Sequence, residues 1–181
     1  ADIMLDSHYT NTHVFTQVFS QPDRFGGDEQ FAEGLVNRLS ILSAAPTSQK
    51  DTGSAPYVKT SVFGGGDIKE SIWNFSGMSA PIKVLQDNTY GVGVTVTTPP
   101  LPDTPNFDGT VRSAPLIVSA NDQIYPSVAL ETLRAFYDQP NYQTRVTPEV
   151  GIEWIRMGRQ PPIETTSTSD VMITYWNNFN R

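Results

Sequence analysis

The chemistry open to this chain is narrowed by two counts. It contains two histidines, His8 and His13, and no cysteine. Disulfides, thiolate metal sites and cysteine nucleophiles are therefore excluded, and any imidazole-dependent step must pass through one of those two side chains. Asp6, Ser7, Tyr9 and Thr10 stand beside them, and Asp23 and Asp28 follow beyond the next apolar segment. A serine hydroxyl becomes a nucleophile when a neutral imidazole lies within hydrogen-bond reach and a carboxylate fixes the imidazole tautomer. Ser7, His8 or His13, and Asp28 (or Asp6 or Asp23) supply these types if the N-terminal segment folds back toward Asp28. Against this, neighbours such as Ser7 and His8 point to opposite faces of an extended strand. Two ordinary solvated or half-buried histidines account for the same residues more simply. The odd spacing of His8 and His13 also separates their rings on a strand, and no HxH or HExxH spacing occurs, so no metal site and no cofactor is expected.

Two glycine motifs touch on other chemistries. Gly77-Met78-Ser79 is half of a nucleophile elbow, but Pro81 replaces the closing glycine and no helix is expected to follow. Gly64-Gly65-Gly66-Asp67 could cradle a phosphate, yet no Lys-Ser/Thr follows it. Both read better as turns. Asn74-Phe75-Ser76 has the pattern of a glycosylation sequon.

The elements that must carry these residues are mostly short and β-like, separated by frequent Gly, Pro, Ser, Thr and Asn. A first, central strand is expected over 13–19. The spacing of Phe31, Leu35, Leu39 and Leu42 predicts one amphipathic helix from Asp28 to about Ser43, capped by Gly27 or Asp28. Strands are expected at 57–63, 71–78, 81–86, 90–98 and 110–119, with a hairpin turn at Gln86-Asp87-Asn88. A second helix opens at Tyr125-Pro126-Ser127, with Pro126 near its first position and Val128, Leu130, Leu133 and Phe136 as its buried stripe. The aromatic-rich segments 149–157 and 170–178 are expected to pair at the centre of an antiparallel sheet. The fold class that results is α+β, mainly β: an antiparallel twisted sheet, two flanking helices and long loops, in one globular surface domain over 1–181.

Composition sets the functional class. The 181 residues carry a formal charge of −7, which opposes nucleic-acid binding. No apolar run is long enough for a transmembrane segment, and no leader is read at the start. Three polar or proline-rich stretches, 44–56, 98–109 and 159–169, are expected to be exposed, mobile loops; the second holds Pro99, Pro100, Pro102 and Pro105. Loops of that kind on a small β domain suit recognition.

Taken together, the Thr/Pro/Asn-rich loops, the low lysine content, the absent cysteine and the aromatic strands resemble a viral capsid surface domain. More narrowly, the chain is similar to the protruding domains of capsid proteins of iflaviruses, insect picorna-like viruses. The resemblance implies a place on the virion surface, with a host-cell receptor or surface ligand and the rest of the capsid as partners. It also implies an Asp, a His and a Ser forming a hydrolytic site, for which only Ser7, His8, His13, Asp28 and the neighbouring aspartates are available here. The competing readings are a small standalone serine hydrolase or esterase and a structural assembly domain.

Overall fold

A computed structural model describes residues 12–49 and 60–175 of the chain. Its architecture is α+β and mainly β: among the described residues there are four helices and several small sheets, antiparallel or mixed. The sheets are not the single antiparallel one expected.

The centre of the first sheet is β2 (Leu39–Thr47), which pairs in parallel with β1 (Thr12–Phe15) and β6 (Gly91–Val94), and antiparallel with β5 (Gly77–Ser79). This arrangement corrects two expectations. The first strand is four residues long and pairs only with β2 among the described residues, so it is an edge and not a centre. The helix α1 (Asp28–Leu35) ends eight residues before Ser43, because Val36 is extended and Asn37 turns with φ 59°. Leu39 and Leu42, which continue the helical spacing, are on β2. A strand buried on both faces shows a continuous apolar run, and such a run cannot be told from a helix by periodicity. Ser40, Ile41, Leu42, Ser43 and Ala44 are all buried. The expected loop 44–56 is thus still β2 as far as Thr47, and its residues 50–56 lie outside the described residues.

The next stretch departs further from the strands expected at 71–78 and 81–86. Asp67 caps a one-turn helix α2 (Ile68–Ser71) by accepting from the Lys69 backbone N–H at 2.9 Å. Short strands β4 (Asn74–Phe75) and β5 follow, and then helix α3 (Lys83–Asn88). Residues 86–88 are the end of α3 and not a hairpin turn. A Lys83–Asp87 ion pair of 2.8 Å and Leu85, fully buried, suit that helix.

The second sheet runs β12 (Ile163–Glu164), β11 (Gly151–Arg156), β10 (Tyr142–Thr147), β3 (Thr60–Gly64), with β10 and β3 parallel. Strand β10 was not foreseen. Among the described residues the segments expected to pair with each other do not: β11 lies between β10 and β12, whereas β13 (Asp170–Met172) pairs with β7 (Ser113–Pro115). Strand β8 (Ile117–Ala120) pairs with β4 and with β9 (Gln123–Pro126). Two apolar clusters fill the molecule, one under β2 and α1, the other between the β10–β11 ribbon and Leu130.

Helix α4 (Val128–Phe136) begins at Ser127, whose hydroxyl accepts from Leu130 N–H, with Pro126 still in β9. Its buried face is Leu130, Glu131, Arg134 and Ala135. Leu133 and Phe136, expected inside, face out, Phe136 being 62% exposed. The reason lies in β6. A Cβ at Gly93 would stand 2.5 Å from Val128 Cα, and one at Gly91 would stand 2.1 Å from Glu131 Oε1. Glycine at both positions lets the helix settle on the strand with its charged pair inward.

Candidate functional site

The residues proposed for catalysis are not assembled by the structure into one described site. Ser7 and His8, with Asp6, lie outside the described residues. His13 is on the edge strand β1, in register with Ser40 of β2, a buried serine whose hydroxyl is 3.2 Å from that of Thr89. Asp28 opens α1, and its Oδ2 accepts from the Asp23 backbone N–H at 2.7 Å, while the Asp23 carboxylate accepts from Gly27 N–H at 3.0 Å. Both aspartates thus close the turn into the helix, where Gly27 or Asp28 is the expected cap.

The glycine motifs are turns and strand. Ser79 lies in β5, in register with Ala45; a helix does follow it, at Lys83, but no tight elbow turn presents the serine. Gly65, Gly66 and Asp67 line an open cleft of about 490 Å³ together with Glu70, Glu149 and Thr168. No lysine or arginine is among its lining residues, and three carboxylates repel a phosphate, so the cradle reading fails on charge. Asn74 of the sequon is on β4, its side-chain oxygen accepting from the Ser119 hydroxyl.

The two aromatic-rich segments do not pair with each other among the described residues. Trp154 is half-buried on the face of β11, with the Arg156 guanidinium 5.3 Å from its ring centroid. Tyr175 is 67% exposed and donates its hydroxyl to the Val111 carbonyl; Trp176 and Phe179 lie outside the described residues.

What the structure does build is the proline-rich segment 98–113. Its two ends meet, Thr98 N–H donating to Ser113 O at 3.3 Å. Between them Asn106 is buried, and its side chain uses nearly its whole capacity. The amide donates to Thr98 O and Ser113 O, and the carbonyl accepts from the backbone N–H groups of Arg112 and Ser113. Thr104 donates to Pro99 O at 2.7 Å, and Arg112 grips the Asp108 carboxylate with both terminal nitrogens, at 2.6 and 2.8 Å. That grip holds the Asp108 carboxyl well below the usual carboxylate range. This is an Ω-loop, closed at its base and packed by its own side chains. It is exposed as expected, yet extensively cross-linked.

Beneath the base sits Asp170, a buried carboxylate served, among the described residues, by neutral donors. Thr98 Oγ1 donates at 2.7 Å and Trp73 Nε1 reaches both oxygens at 3.2 Å; the hydroxyls of Thr166 and Thr168 complete the set. The Ser113 hydroxyl links on to Thr98 Oγ1 at 2.8 Å. The loop base, the 166–169 turn and the indole of Trp73 therefore share one acceptor.

While its polar groups turn inward, the loop holds Leu101 at 49% and Phe107 at 65% exposure. Sequence reasoning found the segment and missed its framework. Part of the signal was present: Asp108 and Arg112 are four apart, and turn-prone Asn106 and Asp108 follow Pro105.

Compared with protein-family models, with curated proteins and with solved structures, the chain matches none.

Proposed function

We propose that this chain is a protruding domain displayed on a virus capsid, of the kind borne by insect picorna-like viruses, and that it attaches the particle to the host-cell surface through the 98–112 loop. The observation that supports attachment is the pairing of rigidity with exposure. Proline content and internal hydrogen bonds fix the loop before it meets a partner, so little ordering entropy opposes binding. At the same time Leu101 and Phe107 are held in water, where an isolated domain gains nothing from them. The capsid assignment rests on the resemblance in composition and loops, with the remainder of the capsid as the second partner. Binding is the reading assigned here: Ser7 and His8 lie outside the described residues, and Asp28 serves the turn before α1 by accepting from the Asp23 N–H.

The test is attachment of the labelled chain to cultured insect cells, read by flow cytometry. Leu101→Ala and Phe107→Ala should each weaken attachment about tenfold, in line with the loss of an anchoring side chain. Attachment unchanged in both variants overturns the proposal.

A further inference from the structure

We infer that the crevice between the α1–β2 and α3–β6 connections binds an acidic sugar, a hydroxyl-rich ring bearing one carboxylate. The inference goes beyond attachment through the 98–112 loop and does not depend on it. Strands β2 and β6 are parallel neighbours, with Ile41 in register with Gly91, so the two connections that lead into them lie side by side. They border an opening of about 530 Å³, whose lining includes Val36, Asn37, Arg38, Asp87, Asn88 and Tyr90. That volume admits a sugar ring with its substituents.

Arg38 supplies the charge. Among the described arginines that are buried or half-buried, Arg112 and Arg134 hold carboxylates and Arg156 holds the Gln143 side-chain carbonyl. The half-buried Arg38 has no such side-chain acceptor among the described residues. The chain has nineteen Asp and Glu against twelve Lys and Arg, yet none of the described carboxylates meets this guanidinium. Its planar fork suits a carboxylate brought by a ligand. Asp87, the acidic residue of the lining, is already paired to Lys83, which reaches both of its oxygens at 2.8 Å.

The other polar groups favour a sugar acid over a multiply charged anion such as phosphate. The C-terminal ends of α1 and α3 both border the crevice, and their peptide dipoles disfavour a second negative charge. Asn88 donates its side-chain amide to the Val84 carbonyl at 2.9 Å, which leaves its side-chain oxygen to accept. Asn37, held at φ 59°, has a side-chain amide without a partner among the described residues. One cation beside acceptors and an amide suits a single carboxylate and several hydroxyl groups. Apolar contact is offered by Val36 and Tyr90, 44% and 41% exposed. The Tyr90 ring is ordered in advance, its hydroxyl donating to Asp138 at 3.0 Å and the Arg134 guanidinium lying 5.6 Å from its centroid.

Ligand-observed NMR on the full chain tests this with the methyl glycosides of N-acetylneuraminic acid and glucuronic acid. At least one should bind with a Kd on the order of 1 mM or tighter, and the preferred acid tells a sialylated glycan from a uronic-acid polymer. Its carboxyl methyl ester should bind at least about tenfold more weakly, and inorganic phosphate at equal concentration should not displace it. Arg38→Gln should weaken binding at least about tenfold, and Asn37→Gly, which keeps the left-handed turn, about threefold. Unchanged thermal unfolding establishes that both variants fold, and the comparison of acid with ester on the unsubstituted chain needs neither. Binding of neither acid, an ester that binds as well as its acid, displacement by phosphate, or indifference to Arg38→Gln overturns the inference.

Discussion

The buried pair between Glu131 and Arg134 offers a sharp test of how α4 is seated. Glu131 is 1% exposed, and Arg134 reaches it with Nε at 2.8 Å and Nη2 at 2.6 Å, while Nη1 donates to the Gln139 carbonyl at 2.6 Å. Burial pushes the Glu131 carboxyl up, and the guanidinium beside it offsets this only in part; the same contact raises Arg134 further. Glu131→Ala leaves two charged donors without acceptors in a site from which water is largely excluded. Breaking such a pair from one side costs about 3–5 kcal/mol. At 2–4 °C per kcal/mol for a chain of this size, the melting temperature should fall by about 6–20 °C. Gly91 gives the independent control, because its added Cβ would lie 2.1 Å from Oε1 and 2.9 Å from Cδ of Glu131. Gly91→Ala alone should cost about 1–3 kcal/mol by overpacking. The double variant should cost at least about 1 kcal/mol less than the sum, since the methyl group occupies space the carboxylate has vacated. Differential scanning calorimetry of the four proteins measures all three quantities. Strict additivity, or a shift below about 2 °C for Glu131→Ala, would refute the placement of this pair between helix and strand.

Other outcomes follow from the same geometry. Because the Glu131 pKa is raised on folding, the folded state takes up its proton first; stability should fall as pH rises from the ordinary carboxyl range through that raised value, and Glu131→Gln should lack this component in melts run between pH 4 and 7. Asp108 has the opposite sign, its pKa being depressed, so the ion pair with Arg112 should persist at pH 5 and be lost only on acidification below about pH 4; amide exchange of the 99–112 segment unchanged between pH 7 and 5, after correction for intrinsic rates, is the check. Asn106→Ala should cost about 1–3 kcal/mol, through buried groups left unpaired, and should open the loop to limited proteolysis. Asp28→Ala should lower stability by about 0.5–2 kcal/mol through loss of the turn before α1. Loss of p-nitrophenyl acetate turnover with stability intact would instead place that residue in a hydrolytic site.

The parts of this fold legible in the sequence are those governed by local chemistry. The proline-rich loop, the start of α1 at Gly27 and Asp28, and the opening of α4 at Ser127 each depend on a few adjacent residues. What was misread depends on contacts distant in the chain. Strand β2 is sandwiched, so its apolar run carries no period, and Leu39 and Leu42 imitated a helix. Hydrophobicity alone puts Phe136 on the inner face of α4, yet the glycines of β6, some forty residues earlier, leave room for Glu131 and Arg134 inside, with Phe136 outside. Residues 149–157 and 170–178 match in composition, which says nothing of the path between them. The chain is turned away before they can meet, because β12 folds back on β11 and the 166–169 turn, with Ser169 at φ 69°, carries Asp170 to β7. The candidate site was located as a segment, but its framework was not, since Asn106 and Asp170 declare their roles only through partners.

That framework divides the loop into two regions with different freedom to diversify. The bonds that shape it converge on Asn106 and, beneath the stem, on Asp170; they grip backbone carbonyls and N–H groups more than tip side chains. Stem residues such as Thr98, Asn106 and Ser113 are therefore held by the protein's own stability. Positions 101, 103 and 107 answer only to whatever the loop touches. A surface of this design can exchange its contact residues repeatedly while the scaffold that displays them stays fixed.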